Sequence, residues 1–210
     1  MPRRRGRPPA YDRDRALDAA ARLFRRAGYD ATSLDELGAA TGMNRPSLYG
    51  AFGDKRALYA TILARARERG AAAMREILSP ERPLREGLRA VYRDALALYL
   101  DREEAPEGCL LIGTAGTRAV ADPAVRDILR ETLAGHDRAF EARFRRAREA
   151  GELDPAADPA ALALLASATL QSLAVRSRTG EGRAVLDALA DAAVDLLCGP
   201  PPAGSPPSRG

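Results

Sequence analysis

Residues 32–55 carry the signals for two short helices joined by a tight turn and followed by the start of a third helix. Ser33, with Glu36 three residues later, has the pattern of a capping box and predicts that a helix begins at Leu34. Gly42 is expected to end that helix, because glycine readily adopts the turn conformation that follows many helices. The spacing predicts a compact helix-turn-helix unit in this part of the chain.

The second helix of the pair has its own start signal and two distinct faces. Asn44 is a favoured N-cap, and Pro46 falls in the first turn, where proline is tolerated. Leu48 and Phe52, spaced by four residues, are expected to face inward. The outer or N-terminal side of this helix then presents the cap Asn44 and four further residues that could contact base edges and phosphates: Arg45, Pro46, Ser47 and Tyr49.

Basic charge is concentrated in the segment that carries this helix pair. The chain of 210 residues has a formal net charge of +4, and residues 1–60 hold 12 Lys+Arg against 7 Asp+Glu. A phosphate-binding surface requires such an excess. The densest part is the arm of residues 1–10, which we expect to be disordered when free, with Arg5 and Arg7 able to enter a narrow minor groove. The alternative is a solvated tail that adds only non-specific affinity.

Residues 11–63 resemble the N-terminal domain of the TetR family, the tetracycline-repressor-like bacterial regulators. The matching stretches are AARLF (20–24), AGY (27–29), TSL (32–34), GMNRPSLY (42–49), FGDK (52–55) and Leu58. The resemblance implies a homodimeric, ligand-responsive repressor whose first three helices bind DNA. It also implies DNA contacts at Thr32, Ser33, Arg45, Pro46, Ser47, Tyr49 and Lys55. One departure is Gly50-Ala51, where the family often has a histidine or a large aromatic residue that contacts phosphate.

The rest of the chain has the pattern of further helices separated by proline and glycine. Asp54 is the expected N-cap of a long fourth helix, and Asp122-Pro123 and Asp158-Pro159 predict the starts of the seventh and eighth helices. About nine helices and an all-α fold result. We predict a helix-turn-helix domain at residues 11–56, a ligand-binding and dimerisation domain at residues 57–198, and a disordered tail at residues 199–210.

The eighth helix has no obvious solvent-facing side, because residues 160–175 contain no charged residue. Two such apolar helices from each of two subunits would form a four-helix bundle across a two-fold axis. A core helix buried within a monomer is the alternative. The candidate interface residues lie on the eighth and ninth helices: Leu162, Leu165, Ala166, Thr169, Leu170, Leu173, Leu186, Leu189, Ala193 and Leu197.

The fifth to seventh helices are expected to enclose a cavity, as the cores of helix bundles often do. The candidate lining residues are Tyr92, Leu96, Tyr99, Cys109, Thr114, His136, Phe140, Phe144 and Gln171. Each of them could instead be an ordinary core residue. We expect the cavity to take a small, largely apolar effector that releases the protein from its DNA operator.

The sequence offers little for other classes of function. Its two cysteines, Cys109 and Cys198, match no metal-ligand spacing and favour a reduced, cytoplasmic protein, and no export or membrane signal is recognised. One histidine, no phosphate-binding glycine loop and no nucleophile–base pairing argue against an enzyme. We therefore expect a sequence-specific transcriptional regulator without metal or cofactor. The alternatives are a ligand-independent DNA-binding protein and a thiol-responsive regulator that senses through Cys109.

Overall fold

The computed structural model describes residues 12–100 and 108–199, apart from the side chain of Thr114. Within these ranges all regular structure is helical, which confirms the predicted all-α fold. The helices are α1 (Arg13–Ala27), α2 (Leu34–Thr41), α3 (Arg45–Phe52), α4 (Lys55–Ile77), α5 (Leu84–Tyr99), α6 (Gly116–Arg118), α7 (Pro123–Glu149), α8 (Pro159–Arg178) and α9 (Arg183–Cys198). A π-helical turn, Leu111–Ala115, runs directly into α6. The basic arm with Arg5 and Arg7 lies outside the described residues, as does the tail after Gly199.

The helix-turn-helix forms through the local signals that the sequence carries. The Ser33 N–H donates to the Glu36 carboxylate at 2.7 Å, and the Glu36 N–H donates to the Ser33 hydroxyl oxygen at 3.2 Å, which completes the predicted capping box. Gly42 ends α2 with a φ of +69°, in the left-handed region that favours glycine. Asn44 caps α3, because its side-chain oxygen accepts the Ser47 N–H at 2.9 Å.

The starts of α4, α7 and α8 also follow prediction. Each is capped by an aspartate whose carboxylate accepts a backbone N–H of the first turn, and these caps are Asp54, Asp122 and Asp158. The predicted sixth helix differs, since residues 111–115 form the wider π-turn instead of an α-helical turn. Gly113 lies at its centre, where a Cβ would come within 3.1 Å of Nη1 of Arg178. The missing side chain lets Arg178 of α8 cross this turn.

Two hydrophobic cores hold the chain together. The C-terminal core joins the end of α4 with α5, α7, α8 and α9. The N-terminal core joins α1, α2 and α3 with the first half of α4. It also includes side chains from the region of the π-turn, α6 and the start of α7: Leu110, Leu111, Ala115, Ala119 and Val125. The helix-turn-helix therefore shares its core with elements that are distant in sequence.

Polar contacts reinforce this junction. Arg56, in the first turn of α4, donates from Nε and Nη2 to Asp122 at 2.7 and 2.9 Å. Asp122 is 2% exposed, and its hydrogen bonds from Arg56 lower the pKa of its carboxyl group. At the end of α8, Arg178 donates from Nη1 to the carbonyl of Arg25 in α1 at 3.0 Å. Both α7 and α8 are thus bonded directly to the helices that carry the helix-turn-helix.

Helix α8 is long and apolar enough, by length and composition alone, to cross a membrane, yet it packs against α5, α7 and α9. Five of the candidate dimer contacts are wrong, because they are buried in the protomer's own C-terminal core: Ala166, Leu170, Leu173, Leu186 and Leu197. Among the other candidates Leu165 is exposed, and the half-buried ones are Leu162, Thr169, Leu189 and Ala193. Further exposed aliphatic side chains on α8 and α9 are Leu164, Val175, Val185 and Leu196.

Candidate nucleic-acid interface and inner cavity

Helix α3 has one buried and one exposed side, as predicted. Leu48 and Phe52 are buried in the N-terminal core and fix the orientation of the helix. The candidate contact residues on the other side and at the N-terminal end are all exposed: Asn44, Arg45, Pro46, Ser47 and Tyr49. Tyr49 is 47% exposed although it is a large aromatic residue, which leaves its ring and hydroxyl available to a partner.

Arg45 is held by a partner that the sequence interpretation missed. Its Nε and Nη2 atoms donate to the two carboxylate oxygens of Asp35 in α2, at 2.9 and 2.8 Å. These hydrogen bonds lower the pKa of the Asp35 carboxyl group. The paired geometry uses one edge of the planar guanidinium and leaves Nη1, together with the second hydrogen of Nη2, directed away from Asp35. The Arg45 side chain is therefore oriented by the neighbouring helix.

Two of the residues placed at the interface by resemblance have their polar groups engaged within the protein. Thr32 is only 1% exposed, and its hydroxyl donates to the carbonyl of Gly28 at 2.7 Å. The DNA contact that the resemblance implies at Thr32 is therefore wrong for its side chain. Ser33 is exposed, but its N–H and hydroxyl both donate to Glu36 at 2.7 Å. A DNA phosphate would have to compete with that carboxylate.

Lys55 lies at the start of α4 beside an aromatic ring. Its ammonium nitrogen is 4.4 Å from the ring centroid of Tyr29, and the Arg118 guanidinium carbon is 4.5 Å from the same centroid. Burial lowers the pKa of Lys55. Tyr29 therefore links Lys55 to α6, and it belongs to the AGY stretch (27–29) of the sequence.

A cavity of about 130 Å³ lies between α4, α5, the π-turn region and α7. Three of the candidate effector-site residues line it, namely Tyr99, Cys109 and His136. Leu170, expected in the dimer interface, lines it as well. Candidates that do not line it are core residues with almost no exposed surface: Tyr92, Leu96, Phe140 and Phe144. Gln171 is also absent from the lining, and its amide donates to the Ser167 hydroxyl at 3.2 Å.

Three titratable groups of the cavity are shifted toward their neutral forms. Burial raises the pKa of the Cys109 thiol and also that of Tyr99, and the two side chains are hydrogen-bonded to each other. Burial lowers the pKa of His136, and its Nδ1 atom is buried without a hydrogen-bond partner among the described residues. Tyr99, Cys109 and His136 are therefore neutral near pH 7, and Arg25 and Asp94 also line the cavity.

A second, larger and more open cleft of about 770 Å³ lies between α4 and α7. Its wall carries several polar and charged side chains on a surface that is otherwise largely apolar, and these are Arg67, Glu68, Arg75, Glu131, Thr132 and Arg138. Met74 and His136 line both the cleft and the cavity. Within the described ranges, no group of three or more His, Cys, Asp or Glu side chains could hold a metal ion.

Two family descriptions match the chain. "Bacterial regulatory proteins, tetR family" matches residues 16–62, and "Tetracyclin repressor-like, C-terminal domain" matches residues 85–193. The HTH-type transcriptional repressor ComR of Escherichia coli is 33% identical over 176 residues, which cover 84% of each protein. The repressor BdcR of Escherichia coli is 34% identical over 123 residues, which cover 59% of this chain and 60% of BdcR.

A solved structure also resembles the chain over most of its length. It is a cysteine mutant of the TetR family transcriptional regulator CifR in complex with 26-bp double-strand operator DNA. The two are 34% identical with a TM-score of 0.80, and the match covers 90% of this chain and 98% of that one. The first matched segment contains α2 and α3, and the second spans more than half of the chain and contains α5 to α8. The chain therefore belongs to the TetR family of bacterial regulatory proteins.

Proposed function

We propose that this protein is a cytoplasmic, homodimeric transcriptional repressor that reads its operator with α3 and is released by a small effector bound near α4 and α7. The observation that carries the proposal is the exposed face of α3. There Arg45, Ser47 and Tyr49 are exposed while the opposite side is buried in the core. CifR, which shares the fold at 34% identity, was solved with operator DNA. As a regulator that acts on DNA, the protein needs no catalytic centre.

Base reading is assigned to Arg45. A guanidinium that presents two N–H groups to a guanine edge makes the most common specific contact in the major groove. Asp35 holds Nε and Nη2, so the remaining edge of Arg45 is presented outward in a fixed orientation. Ser47 and Tyr49 are placed to contact phosphate or further base edges.

Dimerisation is assigned to the outward sides of α8 and α9. Leu164, Leu165 and Leu196 are large apolar side chains that the single protomer leaves exposed. Large exposed apolar side chains on two neighbouring helices are the kind of surface that a partner subunit would cover. Two copies related by a two-fold axis would cover it with the same surface and would place two helix-turn-helix units on one operator.

The coupling between effector binding and DNA binding is assigned to the N-terminal core, which the helix-turn-helix shares with the π-turn region. Leu110 and Leu111 line the cavity and also belong to the N-terminal core. A bound effector that displaces them would act directly on the packing of α1 to α4. Release requires that the effector bind more tightly to the arrangement that cannot hold the operator, since equal affinity for both arrangements shifts nothing.

The test of operator reading is the Arg45→Ala variant. We expect it to bind the cognate operator about 10- to 100-fold more weakly and random DNA nearly as well as the wild type, because a lost base contact affects only the matching site. Fluorescence anisotropy with operator and random duplexes at two salt concentrations measures both. Equal losses on the two duplexes would make Arg45 a phosphate contact.

The Asp35→Ala variant tests whether Asp35 orients Arg45 for base contact. It removes a negative charge near DNA, so we expect affinity for random duplex to rise while discrimination between operator and random duplex falls. If Asp35 only restrained Arg45 from binding, affinity for the operator would rise as well, and discrimination would be kept.

Thiol sensing through Cys109 is the second candidate function, since the thiol lines the cavity. Its raised pKa keeps it protonated near neutral pH, and the thiol is a poor nucleophile compared with the thiolate. We therefore expect Cys109 to react with iodoacetamide more slowly than free cysteine at pH 7, and faster as the pH rises. Mass spectrometry of the Cys198→Ser variant measures this rate. Faster reaction than free cysteine, with loss of operator binding, would favour thiol sensing.

A further inference from the structure

The apolar cavity is too small to be a complete effector site. Its volume is about 130 Å³, whereas ligand sites usually measure roughly 300–1,000 Å³. The cavity adjoins the α4–α7 cleft of about 770 Å³, since Met74 and His136 line both spaces. An effector that fills the cavity must therefore extend past these two side chains into the cleft.

The two spaces differ in chemistry. The cavity is lined mainly by aliphatic and aromatic carbon, including Ile77, Val91 and Leu110. The cleft is lined by arginine and glutamate side chains from both helices. An effector that spans both needs an apolar end and a polar end.

The charge of the cleft favours a negative polar end. Arg67 forms an ion pair with Glu131 across the cleft, so these two charges offset each other. Arg75 on α4 and Arg138 on α7 also line the cleft, and neither has a carboxylate within 4.0 Å among the described residues, while Glu68 is the remaining acidic group of the wall. The Thr132 hydroxyl is engaged with the Ile128 carbonyl at 2.8 Å. Arginine outnumbers free carboxylate, and arginine binds carboxylate and phosphate groups well.

We propose that the effector is an amphipathic anion, with a modest apolar chain or ring in the cavity and its anionic group between Arg75 and Arg138. His136 lies at the neck between the two spaces and offers its unpaired Nδ1 to the polar end. This inference rests on the proposed effector site and replaces the largely apolar effector expected from the sequence.

The experiment compares acids with neutral compounds of the same shape. The probes are decanoate with 1-decanol and 2-naphthoate with 2-naphthol, and the readouts are operator release and binding measured by calorimetry. In the wild type we expect each acid to bind at least about tenfold more tightly than its alcohol, because only the acid can form charge-assisted hydrogen bonds. In the Arg75→Ala/Arg138→Ala variant this difference should disappear. Arg130→Ala, which removes an exposed arginine of α7 outside the cleft wall, is the matched control and should keep it.

Variants that fill the cavity test the location of the effector site separately from the anionic character of the effector. Ala95→Phe on α5 and Ala73→Phe on α4 both fill the cavity and should weaken binding of acid and alcohol alike, with an unchanged helical circular-dichroism spectrum as the check of folding. Two results would overturn the anionic effector and leave the cavity assignment in place. In the first, the filling variants block binding but the wild type binds acid and alcohol equally. In the second, the preference for the acid survives in the double arginine variant. If acids bind and the filling variants have no effect, the cavity assignment itself fails. If no probe binds, the amphipathic anion is overturned.

Discussion

Leu165→Glu is expected to convert the proposed dimer into folded monomers and to weaken operator binding by about 100-fold or more. Leu165 is 61% exposed in the protomer, so a carboxylate there meets water and leaves the fold intact. In the proposed interface the same carboxylate would be buried without a partner, which is strongly unfavourable. A monomer carries one helix-turn-helix unit and cannot occupy two half-sites, which are usually about 34–36 Å apart.

Sedimentation velocity measures the change in mass, and anisotropy with the operator measures the loss of affinity. Val120→Glu is the matched control, because Val120 is an exposed aliphatic residue that lies outside α8 and α9. It should remain dimeric. Leu170→Glu would be uninformative about the interface, since Leu170 is buried in the protomer's C-terminal core. A Leu165→Glu variant that stays dimeric would remove this face of α8 from the interface.

Glu152→Ala is expected to lower the free energy of unfolding by about 3 kcal/mol, near the low end for breaking a buried ion pair because Glu152 is partly exposed. Its carboxylate accepts Nη2 of Arg143 at 2.9 and 3.2 Å, and it also accepts the Leu84 N–H at the start of α5 at 2.5 Å. The Arg143 side chain is only 2% exposed. Without Glu152 it would keep a buried charge, and among the described residues its remaining hydrogen-bond acceptor is the Arg82 carbonyl.

Urea unfolding followed by circular dichroism, at one fixed protomer concentration, measures this loss. The control Glu149→Ala removes an exposed glutamate at the end of α7 and should change the unfolding free energy by less than about 0.5 kcal/mol. The Arg143→Met/Glu152→Ala variant should recover part of the loss, because the buried charge is then removed with its partner. A single Glu152→Ala loss below about 1 kcal/mol would contradict the buried-pair argument.

The helix boundaries were predictable because their signals are local. Ser33, Asn44 and Asp158 each bond a backbone N–H within three residues, so the sequence around each cap is enough to place the helix start. The inward side of α8 was not predictable. That helix is apolar all round, so its sequence pattern does not distinguish Leu170, which faces the core, from Leu165, which faces outward.

The candidate interface was predictable only in part, because some of its features depend on local sequence and others on the packing of helices. The exposed residues of α3 follow from helical periodicity, whereas the partner of Arg45 lies on another helix and the burial of Thr32 depends on how α1 and α2 pack. The residues that line the cavity were likewise predictable only in part. His136 and Cys109 meet there only because α7 and the π-turn pack together, and no local sequence signal reports that contact.

The shared N-terminal core has a consequence for how such regulators can diversify. Leu110, Leu111 and Val125 complete the packing of the helix-turn-helix, and Arg178 bonds to the carbonyl of Arg25. The helix-turn-helix segment is therefore not a module that recombination can exchange by itself. A chimera that takes residues 12–55 from a relative would also need that relative's residues near 110–125 to restore complementary packing. Operator preference is instead free to change by substitutions on the exposed side of α3, where no core contact is disturbed.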